Sequence, residues 1–240
     1  MDSHLPIKAI IFDVDGTLAD TEEAHRIAFN QAFAERQLDW NWDVSLYDKL
    51  LKVTGGKERI KYYIEDFLPH FLKPADYDGF VKLLHNIKTK YYTALLATGQ
   101  IPLRPGIARL ILQAHACEIK LAIATTTTPE NVDALLKIGL GKDWRNYFAS
   151  VGCGDIVRNK KPAPDIYLWV LNELRFTADE CIALEDSNNG LQSSLAAGIK
   201  TYITLNRYTR TQDFTAAAAV FEDLGNLEVF CQKTGLPLFK

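Results

Sequence analysis

Six short apolar runs, the first of them rich in β-branched residues, constrain this chain more than any other feature. They cover residues 7–12, 119–125, 147–153, 181–186, 200–205 and 218–223. Their length and composition read as buried strands. Segments of helical periodicity lie between most of them. Residues 129–138 put Val132, Leu135 and Leu136 on one face, and residues 164–174 do the same with Ile166, Trp169 and Val170. Residues 187–197 carry Leu191 and Leu195 and stop at Gly198, a suitable helix C-cap. Strands that alternate with helices predict an α/β fold, a Rossmann-like core whose parallel sheet is flanked by helices on both faces. Open sheets of this kind bind ligands beyond the carboxyl ends of their strands.

One block breaks the alternation. Residues 21–97 hold no convincing strand and read as several helices, in segments 22–36, 45–53, 57–67 and 75–97. In the first of these, Ala24, Ile27, Ala28 and Ala32 share a face. The block ends at "TGQIPLRPG", a Gly and Pro cluster suited to a hinge. The expectation is an inserted all-helical cap domain at 21–97, with residues 1–20 and 98–240 forming the catalytic core.

Composition excludes several classes. The net charge of -3 over 240 residues supplies no global field for nucleic acid or an acidic membrane. No run approaches the ~18 apolar residues of a membrane span, and "MDSHLPIKAI" lacks the basic start and apolar stretch of a signal peptide. Cys117, Cys153, Cys181 and Cys231 show no CxxC spacing, which argues against structural zinc and a disulfide framework. A cytoplasmic monomer acting on a small molecule is expected.

The chemistry sits at the strand ends. The stretch "IIFDVDGTLAD" finishes a strand in Asp13, with Asp15 two residues on. Two carboxylates ~4 Å apart repel by about 4 kcal/mol at an effective dielectric near 20, so something must offset them. A second strand ends in Thr125, followed by Thr126 and Thr127; Lys160 and Lys161 precede a Pro-started helix; a further strand ends in Glu185 and Asp186. Parallel strands bring these tips to one crevice. Carboxylates, a hydroxyl and a lysine suit phosphoryl transfer through an aspartyl phosphate. Asp13 would attack phosphorus, and Asp15 would protonate the leaving oxygen and then take a proton from water. A hard dication, Mg²⁺, would sit on oxygens of Asp13, Asp186 and the backbone carbonyl of Asp15, with Glu185 as a further candidate ligand. Lys161 would pair with the phosphate and Thr125 would hydrogen-bond it. Gly16 permits the sharp turn that aims both acids at one point.

These residues resemble the haloacid dehalogenase superfamily, the aspartate-nucleophile phosphatases and mutases. "DVDGT" matches its first motif, Thr125 the second, Lys161 the third, and Glu185 with Asp186 the fourth, in order along nearly the whole chain. The helical block is similar to this superfamily's mobile cap, which closes over the site and excludes water. Asp15 argues against the dehalogenases, which lack it, and favours phosphate substrates. "TEEAHRIAFN", "GGKERI" and "HNIKTKYY" look like the Calvin-cycle-associated branch, close in architecture to β-phosphoglucomutases. That resemblance implies a sugar bisphosphate substrate, typically xylulose 1,5-bisphosphate. It places Asp20, His25, the segment Gly55, Gly56, Lys57, Glu58 and Arg59, and His85 and Lys88 against the substrate. The branch usually has Glu where this chain has Asp20. Lys57, Arg59 and Lys88 also suit a second, non-reacting phosphate on charge alone.

Simpler readings stand beside these. Asp13 and Asp15 are also good turn formers, Thr127 or Thr128 is a plausible helix N-cap before Pro129, and Lys160 reads as a surface residue. Tyr62, Tyr63, Tyr91 and Tyr92 suit cap packing. His4, His70 and His115 have no evident partners. A phosphomutase, a phosphoglycolate phosphatase and a binding protein on the same fold remain open at this point.

Overall fold

The structure is a computed structural model that describes residues 6–238; His4 lies outside that range. The chain enters through strand β1 (Ala9–Phe12) and passes into four helices: α1 (Glu22–Glu35), α2 (Val44–Leu50), α3 (Gly56–Phe67) and α4 (Tyr77–Ala97). It then alternates through α5 (Ile107–Ala116), β2 (Lys120–Ala124), α6 (Pro129–Leu140), β3 (Ser150–Gly152), α7 (Asp165–Leu174), β4 (Cys181–Glu185), α8 (Asn188–Ala196), β5 (Lys200–Thr204), β6 (Ala219–Phe221) and α9 (Leu227–Thr234). All six expected strands form. The run at 147–153 is strand only at its end, because Trp144–Tyr147 is a 3₁₀ turn whose Trp144 is fully buried. Helices α5 and α9 had no expected counterpart.

The strands make one parallel sheet in the order β3-β2-β1-β4-β5-β6. Side chains alternate across it. Ile10 and Phe12 join the cluster under α5, α6 and α9, whereas Ala9 and Ile11 pack against Ile166, Tyr167 and Val170 of α7. Every residue of β1 is fully buried, as expected for a central strand covered on both faces. Register pairs Phe12 with Ile123 and with Leu184. Asp13, Thr125 and Asp186 therefore leave the sheet at the same edge. The sheet winds outward from β1 to β3 and then restarts on the other side at β4, so β1 and β4 flank the switch point where such sheets open a crevice.

The helical block has an aromatic cluster of its own, including Phe29, Phe33, Trp40, Trp42, Tyr47 and Tyr63. Ala24 and Ala28 are buried as expected, but Ala24, Ala28, Tyr92 and Leu96 belong to the apolar cluster of the sheet. Ile27 is only half-buried. The roots of α1 and α4 are thus packed on the sheet side, and their far ends on the aromatic cluster. Tyr63 fills that cluster and Tyr62 packs against it. Tyr91 reaches Glu35 at the surface, 2.8 Å away.

Candidate active site

Asp13 lies at the end of β1, buried, with one carboxylate oxygen 2.6 Å from Lys161 Nζ. Lys161 also donates to Glu185 Oε1 at 2.5 Å, and the Tyr167 hydroxyl donates to that same oxygen at 2.5 Å. Oxygens of Asp13, Glu185 and Asp186 all fall within 4.8 Å of one another. Three buried carboxylates therefore face one lysine. Burial raises Asp13 to about 8 against the pull of Lys161, with Glu185 and Asp15 adding to the rise. Burial, then Asp13 and Glu185, push Asp186 well above the usual carboxylate range. Burial opposes the charge on Lys161, but Asp13 and Glu185 outweigh it and raise its pKa. This donor set is all oxygen, over-rich in negative charge, and suited to a hard dication. A carboxylate whose folded pKa is raised binds more protons in the native chain than in the unfolded one, so metal-free stability falls as pH climbs from about 4 toward 8. Mg²⁺ is expected to raise the melting temperature more at pH 8 than at pH 5. Equal shifts at both would count against cation binding by these acids.

Asp15 points the other way, toward the root of the helical block. Its Oδ1 accepts from Thr21 Oγ1 at 2.7 Å, from His25 Nε2 at 2.9 Å and from the Tyr92 hydroxyl at 3.3 Å. Burial alone would raise Asp15, but His25 and Thr21 together hold it well below the ordinary range. Lys88 Nζ lies 2.5 Å from His25 Nδ1. Lys88 donates there, so His25 carries its own proton on Nε2 and donates it to Asp15. Burial, then the Lys88 charge, lowers His25; burial lowers Lys88 to about 7. Tyr92 completes this corner with its ring stacked 3.9 Å from His25. It is a site residue as well as a packing residue.

Thr125 ends β2, almost fully buried, and its Oγ1 accepts from Thr127 N at 3.3 Å. Thr128, not Thr127, caps α6, with Pro129 beginning the helix. Lys160 is no solvated residue. It folds back to Gly154 O at 2.5 Å and Asp155 at 2.9 Å, bracing the loop after β3. Gly16 has φ +83°, and a Cβ there would lie 2.3 Å from Asp186 Oδ2. That turn needs glycine on both counts.

A cavity of about 400 Å³ joins Asp13, Asp15, Thr125, Lys161 and Asp186 to His25, Arg59, His85 and Lys88. Thr126, Thr127, Gly55 and Gly56 also line it. Three expected substrate residues fall elsewhere. Asp20 is exposed, with Arg104 Nε 3.4 Å away, because backbone pairing of Ala19 with Leu103 turns residue 20 outward. Glu22, the first residue of α1, lines the cavity instead and is hydrogen-bonded by the Tyr47 hydroxyl at 2.8 Å. Lys57 and Glu58 line a smaller adjoining cavity of about 210 Å³, where Lys57 pairs with Asp155 across the seam. Helical rotation explains the split: Arg59 is two residues on from Lys57 and so faces another side. Glu185 sits behind Lys161, fully buried, and does not line the cavity.

Sequence reasoning missed Arg104, read only as part of a hinge. Its guanidinium donates to Gly16 O at 2.5 Å, to Thr204 Oγ1 at 3.1 Å and to Glu222 O at 3.0 Å. It ties the aspartate turn to the ends of β5 and β6. Asn131 and Tyr208 also line the cavity without having been singled out. Polar residues on a helix or loop carry no local sign of which cavity they meet.

Residues 7–198 match the family model for haloacid dehalogenase-like hydrolases. The chain belongs to that family. Protein CbbY of Cupriavidus necator is 50% identical over 220 residues, which span 92% of this chain and 87% of that protein. The crystal structure of CbbY from Rhodobacter sphaeroides in complex with phosphate superposes with a TM-score of 0.85 at 44% identity, over 92% of this chain and 96% of that one. A mutant of the same protein, in complex with xylulose-(1,5)bisphosphate, superposes equally well. β-Phosphoglucomutase from Clostridium difficile shares the fold at a TM-score of 0.77 and 21% identity, over 95% of this chain and 97% of that one. Among the described residues, no helix of this haloacid dehalogenase-like hydrolase is long and apolar enough to cross a membrane.

Proposed function

We propose that this phosphatase cleaves a small phosphorylated sugar, a pentulose bisphosphate such as xylulose 1,5-bisphosphate, through an aspartyl phosphate on Asp13. The observation that carries the reading is the position of Asp13: a buried carboxylate on the floor of a polar cavity, held by Lys161 and facing Asp186. Mg²⁺, held by Asp13, Asp186 and the backbone carbonyl of Asp15, would neutralise the cluster and the phosphoryl oxygens. Asp13 is the nucleophile, Lys161 pairs with the transferring group, and the Thr125 hydroxyl donates to it.

Asp15 handles the proton. It is ionised before substrate arrives, and a phosphate dianion beside it favours its protonated form. His25 can pass the Nε2 proton to Asp15 while accepting one from Lys88 at Nδ1. The leaving sugar oxygen takes the proton from Asp15, whose carboxylate then accepts one from the water that attacks phospho-Asp13. In this reading residues 21–97 act as a cap over a core of residues 1–20 and 98–240, and Tyr92 and His25 bring the cap's root into the chemistry.

The xylulose-(1,5)bisphosphate held by the mutant CbbY from Rhodobacter sphaeroides points to a substrate with two phosphates, and Arg59 supplies a place for the second. Its guanidinium donates to the Tyr47 hydroxyl at 2.9 Å and the Val53 carbonyl at 3.3 Å, both neutral groups. Its charge is thus available to an anion in the cavity. Phosphate release screened over sugar mono- and bisphosphates, with phosphoglycolate included, tests the reading. The bisphosphate is expected to give the highest kcat/KM. An isomerised sugar phosphate in place of free phosphate would make the chain a mutase. Arg59→Ala is expected to raise KM for the bisphosphate about tenfold to a hundredfold, the loss of a charge-assisted contact. KM for an aryl phosphate should stay near wild type. Equal effects on the two would remove Arg59 from the second phosphate.

A further inference from the structure

One buried polar side chain beside the acidic cluster has no part in the chemistry above. Asn206 follows β5 and is 7% exposed. Its Nδ2 donates to Asp186 Oδ2 at 2.5 Å. Its Oδ1 accepts from the backbone N–H groups of Tyr208 at 2.8 Å and Thr209 at 3.2 Å. Those two main-chain donors settle the orientation of the amide. A flipped amide would set its NH₂ against two N–H groups and leave all of them without an acceptor. The donor end of Asn206 is therefore aimed at Asp186.

The other oxygen of Asp186 is held far more loosely, with Thr17 Oγ1 at 3.4 Å. One oxygen is clamped and the other is available. The clamp is itself backed on several sides. Gln212, farther along the same loop, accepts from Asn188 N at 2.7 Å, and Tyr208 donates to Glu23 of α1 at 2.6 Å. On the opposite side a Cβ at Gly16 would lie 2.6 Å from Asn206 Nδ2, so the aspartate turn packs directly on the amide. The chemistry of the donor also fits. A lysine or arginine here would add positive charge that competes with a bound cation, and an acid would add a fourth carboxylate. A neutral amide orients Asp186 without changing the charge of the pocket.

We propose that Asn206 is a positioning residue that clamps Asp186 Oδ2 so that Oδ1 is presented to a divalent cation shared with Asp13. The inference rests on the reading of Asp13 and Asp186 as cation ligands, and the test separates the two. Metal-stripped protein is titrated with Mn²⁺ alone, without substrate, and free ion is followed by electron paramagnetic resonance. Wild type is expected to bind the ion, Asp186→Ala to lose most of that binding, and Asn206→Ala to bind about tenfold to a hundredfold more weakly. Turnover lost in Asn206→Ala should return in part as Mg²⁺ is raised, which a purely structural defect would not allow. Asn206→Ser, with a shorter donor, carries the same measurement should the alanine variant not fold. Unchanged Mn²⁺ affinity in a folded Asn206 variant overturns the proposal and leaves the cation site standing. Asp186→Ala binding Mn²⁺ like wild type, or wild type binding none, ends both.

Discussion

Asp13→Asn is expected to lower kcat by about 10⁴-fold or more with the fold intact, as removal of a nucleophile does. The amide is isosteric, and its oxygen still accepts the Lys161 hydrogen bond that now measures 2.6 Å. What it lacks is the lone-pair charge that attacks phosphorus. The same change removes one of three clustered carboxylates. Ionising Asp13, whose pKa burial raises to about 8, costs the native state stability across the range from about 4 upward. Metal-free Asp13→Asn should therefore melt at or above wild type at pH 8, with the advantage shrinking toward pH 5. Phosphate release and thermal melts on the same preparations check both halves. Turnover within tenfold of wild type would falsify the nucleophile assignment.

Lys161→Met is expected to lose about 10³ in kcat, the scale set by removing a group that stabilises charge in the transition state. Its larger mark should be on stability. Lys161 is buried and contacts Asp13 and Glu185 at 2.6 and 2.5 Å. Methionine keeps the stem and removes the charge, leaving the buried carboxylates without their cation, with Tyr167 still donating to Glu185, at a cost of about 3–5 kcal/mol. With the ammonium gone, burial raises Asp13 without the opposing pull of Lys161, so Asp13 holds its proton more tightly in the native chain than in the unfolded one. Stability then falls as pH rises, so the deficit against wild type should be greater at pH 8 than at pH 5. Urea unfolding at the two pH values measures it. A deficit that ignores pH would mean that Lys161 stabilises by packing, against the Tyr167 ring at 5.2 Å for example, and not by neutralising the acids.

Much of this site was legible because its residues occupy strand ends. Asp13, Thr125 and Asp186 each follow a short apolar run, and in a parallel sheet the ends of adjacent strands converge whatever the loops between them do. Lys161 was legible by motif position, although its contact with Asp13 spans 148 residues. The helical block was harder. Arg59, His85 and Lys88 do face the cavity, but Lys57 and Glu58, their neighbours in sequence, line the adjoining one. On a helix a shift of two residues changes the face, and periodicity alone does not say which face meets the core.

From the sequence alone follow the six parallel strands, the helical insertion and the chemical type of the site, an acid pair with a lysine and a hydroxyl. Each of these depends on local patterns: alternation, turn residues, and reactive side chains placed where strands stop. Only the tertiary structure decided that Glu22 and not Asp20 enters the cavity, that His25 and Lys88 chain onto Asp15, and that Arg104 and Asn206 brace the acids from behind. Those contacts join segments that meet only after the sheet and helices have packed. Their energies depend on burial and on distances of a few ångströms, which no stretch of the chain specifies by itself.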